Sequence, residues 1–304
     1  MTNVAVQVVV PAAAALMLFA LGLTIDVAQL GRLLQRPRAL LVGLASRWAL
    51  VPGLAVLLCL VDRPSPPIAL GLLLVASCPT ATPAPALVRA GAGDTALGIA
   101  LTATTNLASV VMLPLLLSLG SLLVGIEGRV DPSSLARVVF RIGALVIAPT
   151  VLGMVLRRAR PVLARRMEPK VTPVALALLV PIIVLVLVSS REVVIPSLVQ
   201  SGALAVELNL LALLGASLIA RLAGLTPGEA LAVLAGSGLF NFGLGVFVSL
   251  SVLREPRILV PGIAYGALMW LTAAAVTAWT RRIVGRRHPD QVAAGVVGRR
   301  SSVR

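Results

Sequence analysis

Two ionisable side chains stand inside long apolar stretches, where a charge is costly. Arg47 lies in the stretch 39–61 and Glu207 in the stretch 196–222. A charged side chain at the centre of a membrane helix costs roughly 2.5–3.5 kcal/mol on insertion scales, so such residues generally pair, bind a ligand or carry protons. Three roles stay open: the two residues form a buried pair, Arg47 holds a carboxylate bidentately, or Glu207 takes up and releases protons.

Uncharged polar side chains lie in and beside two segments that are rich in helix-breaking residues. The segments are 76–85, which contains Pro79, Pro83 and Pro85, and 236–245, which contains Gly236, Gly238 and Gly243. Proline removes a backbone donor and glycine permits unwinding. Lipid offers no partner for the freed backbone groups, so both segments must face protein or an aqueous cavity. The polar residues predicted to line that cavity are Thr80, Thr82, Thr102, Asn106, Ser237 and Asn241.

The elements that must position these groups are membrane-spanning helices. Of the 304 residues, 59% are hydrophobic and 12% are charged, with a mean hydropathy of +1.04. A soluble domain of this size cannot bury that much apolar surface, and the apolar runs approach the roughly 20 residues that cross a bilayer. The sequence therefore predicts an all-α polytopic membrane protein with about nine spans. The predicted spans are 4–25, 39–61, 67–90, 95–120, 135–157, 171–190, 196–222, 229–252 and 258–280.

The distribution of charge predicts how the spans are oriented. The formal net charge is +15, but the basic residues cluster between alternate apolar runs rather than on one face, so we expect no nucleic-acid partner. The positive-inside rule places the N-terminus outside and the C-terminus in the cytoplasm of a plasma (inner) membrane protein. We expect residues 288–304 to form a disordered basic tail. That tail holds His288, the only histidine, so a metal or catalytic role for it is not expected.

The two interrupted spans lie five spans apart and therefore run in opposite directions. This placement divides the chain into two inverted halves, 1–134 and 135–287. Paired broken helices in an inverted repeat are a pointer to a transporter's substrate site, although proline and glycine kinks are also common in ordinary membrane helices. We expect a substrate to bind near the crossing of the two broken helices and to gain alternating access.

The sequence gives little support for an intramembrane enzyme. The segment 91–94 matches the Gly-x-Gly-Asp pattern of aspartyl intramembrane proteases, which need a second aspartate within the membrane. Every other aspartate lies in a break or in the tail, and there is no His-Glu-x-x-His for a zinc protease. Cys59 and Cys78 lie in apolar runs, where no disulfide is expected. We therefore predict a protein that is not an enzyme and needs no cofactor.

Several segments, in their order and spacing, resemble the bile acid:sodium symporter superfamily over nearly the whole chain. The matching segments are 21–25, 36–39 and 51–52 (its "GLT…PRA…MP"), 78–82 ("CPGGT"), 91–102 with Pro114 ("ARGDxALSxxxT…P") and 238–244 ("GxQNxGL"). Members often have ten helices, and this chain resembles a nine-helix variety that lacks the first. The resemblance implies a core domain of spans two to four and seven to nine, and a panel domain of spans one, five and six. It also implies organic anion substrates and sodium ions bound where the broken helices cross.

The departures from the family pattern concern the sodium ligands. Positions that carry side-chain oxygens in the family are here Arg47, Ala84, Pro85, Gly98, Gly236 and Phe240, while Thr102 is retained. These changes argue against sodium coupling by the family mechanism, although sodium at Thr102 or protons at Glu207 stay open. We hypothesise that Arg47 replaces the charge of a bound sodium, while Glu207 supplies the lost carboxylate elsewhere.

The sequence therefore predicts a secondary transporter of small organic anions. Two alternatives remain. A relative of arsenite permeases would use Cys78 for a thiophilic ligand, and a membrane scaffold would transport nothing. The membrane lipid is the only other partner that the sequence predicts.

Overall fold

A computed structural model describes residues 5–25, 37–126, 132–189 and 191–287. Within these ranges the chain is helical and contains no β-strand, which confirms the predicted all-α class. The first seven helices are α1 (Val10–Thr24), α2 (Pro37–Ala45), α3 (Val51–Asp62), α4 (Pro66–Ser77), α5 (Ala84–Ala90), α6 (Thr95–Leu123) and α7 (Pro132–Ala159). The remaining five are α8 (Pro161–Ser189), α9 (Arg191–Leu222), α10 (Pro227–Gly238), α11 (Phe242–Phe247) and α12 (Leu259–Arg287).

Short π-helical turns connect or extend several of these helices. One turn, Ser46–Leu50, joins α2 to α3, so that the pair forms a single apolar rod over Pro37–Asp62. The other turns are Ala5–Val9, before α1, and Val248–Val252, after α11. A π-helical turn widens the helix and often marks a functional position, and the first of these turns contains Arg47.

Six helical stretches of the described residues are long and apolar enough to cross a bilayer, so the chain is an integral membrane protein. They are Gln7–Thr24, Pro37–Asp62, Thr95–Leu123, Ile142–Ala159, Gln200–Leu222 and Pro256–Arg282. The predicted spans 67–90 and 229–252 are each divided into two shorter helices, as their proline and glycine content predicts. The predicted span 171–190 falls largely in the second half of α8, and the total of nine spans stays a prediction.

The helices pack in two groups. α1 lies against α7 and α8, while α4, α6, α9, α10 and α12 pack on one another. The backbones of α1 and α7 approach closely at Gly22 and Gly153, where a Cβ added to Gly22 would lie 2.9 Å from the Gly153 Cα. Small residues permit such close contacts between membrane helices. The division into a core domain and a panel domain that the family resemblance implies stays a prediction.

Candidate functional site

The two broken helices cross at their interruptions, which lie between α4 and α5 and between α10 and α11. An antiparallel β-bridge joins Thr80 and Phe240 there. The Ala81 N–H donates to the Leu239 carbonyl at 3.2 Å, and the Asn241 N–H donates to the Pro79 carbonyl at 2.8 Å. Backbone groups that proline and helix termination leave free are thus paired across the crossing, as a water-poor environment demands.

Side chains of α6 complete the hydrogen bonding of the first break. Thr105 Oγ1 accepts from the Thr80 N–H at 3.2 Å, and Asn106 Nδ2 donates to the Thr80 carbonyl at 2.9 Å. The Thr80 hydroxyl itself donates to the carbonyl of Gly236, in the other broken helix, at 2.8 Å. Thr80 therefore ties three elements together while being only 1% exposed.

An amide pair joins the second break to the same network. Asn241 Nδ2 donates to Asn106 Oδ1 at 2.9 Å, and Asn241 Oδ1 accepts from the Leu244 N–H at 3.1 Å, so Asn241 caps α11. Asn106 is fully buried and Asn241 nearly so. The sequence placed Thr80, Asn106 and Asn241 on a common site, and the structure brings these three together.

Arg47 lies at the other side of the crossing, and its guanidinium group is enclosed by backbone carbonyls. Its Nε donates to the Cys78 carbonyl at 2.8 Å, and its terminal nitrogens donate to Ser237 at 3.0 Å and to Val75 at 2.9 Å. A terminal nitrogen also donates to the Cys78 carbonyl and, at 3.4 Å, to that of Ala76. The side chain is 1% exposed, so a full positive charge is buried there.

The charge of Arg47 is compensated by helix ends rather than by a carboxylate. Val75, Ala76 and Cys78 stand at the C-terminal end of α4, and Ser237 stands at that of α10. Each helix C-terminus carries roughly half a negative charge, so two of them together balance about one positive charge. Among the described residues, no aspartate or glutamate forms an ion pair with Arg47.

Two further side chains bind the end of α10, and the sequence reading missed both. Asn209 Nδ2 donates to the Gly238 carbonyl at 3.2 Å, and the Tyr265 hydroxyl donates to the same carbonyl at 3.0 Å. Each was visible only as a polar group in an apolar stretch, and Tyr265 is the one tyrosine of the chain. Neither signal shows which carbonyl the residue meets.

A cleft of about 400 Å³ adjoins the crossing on the side of α1 and α12. Its polar lining side chains are Thr82 and Asn241, and the Thr82 hydroxyl has no hydrogen-bond partner. The rest of the lining is apolar or glycine, with Met17 on α1 and Phe240, Phe242 and Trp270 among the larger side chains. The cleft can therefore hold the carbon body of an organic molecule.

Other predicted site residues are buried near the crossing without facing the cleft. The Thr102 hydroxyl donates to the Gly98 carbonyl at 2.8 Å, and the Ser237 hydroxyl donates to the Val233 carbonyl at 2.9 Å. Both bonds stay within one helix. Within the described part of the chain there is also no cluster of three or more metal-binding His, Cys, Asp or Glu side chains.

Glu207 lies away from the crossing. It belongs to the exposed face of α9, together with Leu210 (46% exposed) and Leu214 (67% exposed), and it is not hydrogen-bonded to Arg47. The structure therefore does not bring together the two charges that the sequence offered as a pair.

The helix-breaking residues have more varied positions than the sequence indicates. Pro79 lies within the first break, Pro83 precedes α5, and Pro85 stands in its first turn. Gly236 and Gly238 lie in the last turn of α10 rather than in the break, and Gly243 lies inside α11. Gly238 permits close packing instead, since an added Cβ would meet a Leu213 methyl at 2.7 Å.

Comparison with known proteins gives one family and two curated relatives. The Sodium Bile acid symporter family matches residues 11–197. A rice protein described as a probable sodium/metabolite cotransporter, BASS2, chloroplastic, is 23% identical over 268 residues, which is 87% of this chain and 62% of the rice protein. The uncharacterized sodium-dependent transporter YocS of Bacillus subtilis is 29% identical over 104 residues, 34% of this chain and 32% of that protein. The chain thus belongs to the Sodium Bile acid symporter family.

Proposed function

We propose that the protein is a secondary transporter of small organic anions that works without sodium, because the guanidinium of Arg47 provides the positive charge that a bound sodium ion would bring. The observation that carries the proposal is the cage of four carbonyls, from Val75, Ala76, Cys78 and Ser237, around this buried side chain. Membership of a transporter family implies a small-molecule substrate.

Few oxygens at the crossing remain free to bind a sodium ion. Carbonyls at the C-terminal ends of two half-helices are suitable ligands for a cation in a membrane transporter. Here the carbonyls at the ends of α4 and α10 already accept bonds from Arg47, Asn209 and Tyr265. A sodium ion at this place would have to displace the Arg47 side chain. Its guanidinium carries the same charge and donates several hydrogen bonds to these carbonyls.

The opposite side of the crossing offers a sodium ion few free oxygens. The Asn106 side-chain oxygen accepts from Asn241, and the Asn241 oxygen accepts from the backbone of α11. The Thr102 oxygen points to its own helix, where it donates to Gly98. The residues present do not fit a sodium site with a carboxylate ligand, so we derive no step through sodium.

The anionic substrate class is supported by the position of the cleft. Pro83 and Phe242 line it at the starts of α5 and α11, and helix N-terminal ends carry partial positive charge. The Thr82 hydroxyl, which has no hydrogen-bond partner in the structure, lies beside them with the Asn241 side chain, and we assign it the orientation of the carboxylate. We place the substrate here, between α1 on one side and the crossing on the other.

The transport cycle that we propose moves the group α1, α7 and α8 against the group that contains the crossing. This motion exposes the cleft alternately to the two sides of the membrane. It requires the nine-span, inverted-repeat arrangement, with the N-terminus outside and the C-terminus in the cytoplasm. Because Glu207 lies outside both the crossing and the cleft, we give it no coupling role.

The test is uptake of a panel of labelled organic anions into proteoliposomes, with and without a sodium gradient. Wild type is compared with Arg47→Gln and with the control Arg221→Gln, which removes an exposed cation at the end of α9. We expect equal uptake with and without sodium, abolished by Arg47→Gln and retained by Arg221→Gln. Uptake driven only by sodium would overturn the proposal.

The same assay addresses the alternatives. A thiophilic substrate at Cys78 is disfavoured because that side chain is fully buried and does not line the cleft. Uptake of arsenite by wild type that is abolished in Cys78→Ala would nevertheless establish that the protein is an arsenite permease. A scaffold would take up none of the anions above the level of empty liposomes.

A further inference from the structure

The connection between α7 and α8 is rich in positive charge. We call residues 157–170 the basic turn; it contains Arg157, Arg158, Arg160, Arg165, Arg166 and Lys170, against Glu168 as its acidic residue. Arg160 is the single residue between the two helices. Five of the six cations are exposed, and none forms an ion pair with another described residue. The charge of this turn is therefore free to meet a partner.

A shallow pocket of about 300 Å³ lies within the basic turn. Its lining consists of Arg160, Pro161, Val162, Leu163 and Arg166. Two arginine side chains thus border a space whose remaining wall is apolar. Guanidinium groups bind phosphate oxygens through paired hydrogen bonds, which makes a phosphate the fitting ligand for the two arginines.

The apolar wall points to a lipid rather than to a soluble anion. Val162 is 55% exposed and Leu163 is 39% exposed, and both line the pocket. The candidate membrane span Ile142–Ala159 ends directly before Arg160, so the pocket lies where the hydrocarbon meets the polar region. A free phosphate makes no favourable contact with exposed valine and leucine side chains, whereas the glycerol and acyl chains of a lipid can pack on them.

We propose that the pocket of the basic turn binds the headgroup of an anionic phospholipid. The phosphate lies between Arg160 and Arg166, and the upper acyl chain packs on Val162 and Leu163. Basic pockets beside membrane helices take anionic headgroups, and each nearby cation adds attraction to an anionic surface. Because α7 and α8 both pack on α1, a bound lipid would fix the end of this helix group.

The experiment is native mass spectrometry of the full chain in detergent, with phosphatidylglycerol and phosphatidylcholine of identical acyl chains in competition. The variant is Arg160→Gln with Arg166→Gln. Its matched control is Arg158→Gln with Arg165→Gln, which removes the same charge from exposed residues outside the pocket. We expect the preference for phosphatidylglycerol to fall about tenfold in the variant and to stay within about twofold of wild type in the control.

Three outcomes overturn the proposal. An equal loss in both double variants would mean diffuse attraction without a site. An unchanged preference in the pocket variant would remove the site altogether. Displacement of phosphatidylglycerol by excess inorganic phosphate would assign the pocket to a soluble anion. A second variant, Arg160→Lys with Arg166→Lys, keeps the charge without the planar fork, and a partial loss there would support bidentate binding of the headgroup.

Discussion

The crossing of the broken helices and the contact between α1 and α7 are held together by opposite means. At the crossing, donors and acceptors of several helices meet, and the buried Arg47 side chain donates to carbonyls at helix ends. At the α1–α7 contact, Gly22 and Gly153 let two backbones touch because neither has a side chain. Removing side-chain atoms is therefore expected to destabilise the first region, whereas adding side-chain atoms is expected to destabilise the second.

The two regions also differ in how their elements are joined. The crossing joins its elements by specific bonds and is suited to act as one rigid body. The α1–α7 contact is instead a close packing of two backbones at Gly22 and Gly153. Predictions that remove atoms at one region and add atoms at the other test this contrast.

The largest expected effect comes from Arg47→Leu. The change leaves four buried carbonyls without their donor, and each unsatisfied buried group costs roughly 1–3 kcal/mol. We expect the free energy of unfolding to fall by at least about 3 kcal/mol, seen as a lower Tm in detergent. Arg221→Leu, at an exposed helix end, serves as the control and should leave Tm near that of wild type. Equal Tm values for Arg47→Leu and wild type would show that the cage does not stabilise the crossing.

A smaller effect is expected from Gly153→Ala. The added methyl group would clash with the Phe19 carbonyl and the Gly22 backbone, which no rotamer can relieve. Overpacking of this kind costs roughly 1–3 kcal/mol. Gly53→Ala is the matched control, because a Cβ at Gly53 meets nothing within 4 Å. Thermal unfolding should show a loss for the first variant only, and an equal response of both would contradict the close contact.

The amide pair at the crossing should contribute less. Asn241→Ala removes the bond to Asn106 and the cap of α11, and loss of an N-cap side chain costs roughly 0.5–2 kcal/mol. Asn241 also lines the cleft, so we expect reduced uptake together with this modest loss of Tm. Ser237→Ala, whose hydroxyl bonds only within its own helix, is the comparison variant. Normal uptake by Asn241→Ala would remove this residue from the proposed substrate site.

The smallest effect is expected from Glu207→Gln. This carboxylate lies on the exposed face of α9 and bonds to none of the groups at the crossing. We expect a change in the free energy of unfolding within about 0.5 kcal/mol, as for other exposed substitutions, and unchanged uptake. Uptake measured at several external pH values should follow the wild-type profile. A profile that is flattened by this substitution would restore the proton role.

Much of the fold could be predicted because its signals are carried by side-chain types. Apolar runs predicted helices, and Pro79 and Pro83 predicted a break where one occurs. The faces of the helices could not be predicted in the same way. Glu207 and Asn209 are two residues apart and point to different sides of α9, and a helix apolar on all sides gives no amphipathic signal for either.

The hydrogen-bond partners of Arg47 also could not be predicted from the sequence. Its charge predicted a buried counterpart, and Glu207 was the only carboxylate near mid-span. The structure supplies backbone carbonyls instead, which every residue has and no residue type reveals. The roles of Asn209 and Tyr265 could not be predicted for the same reason, because both side chains bind a backbone carbonyl, that of Gly238.

The most direct test of the central claim needs no substrate. Tm of the purified protein is measured in sodium chloride and in choline chloride at equal ionic strength. A ligand that binds only the native state raises Tm with its concentration. We predict equal Tm values in the two salts, because Arg47 already occupies the carbonyl cage. A rise specific to sodium would show that the ion binds to the wild-type protein, and it would contradict the claim that Arg47 stands in its place.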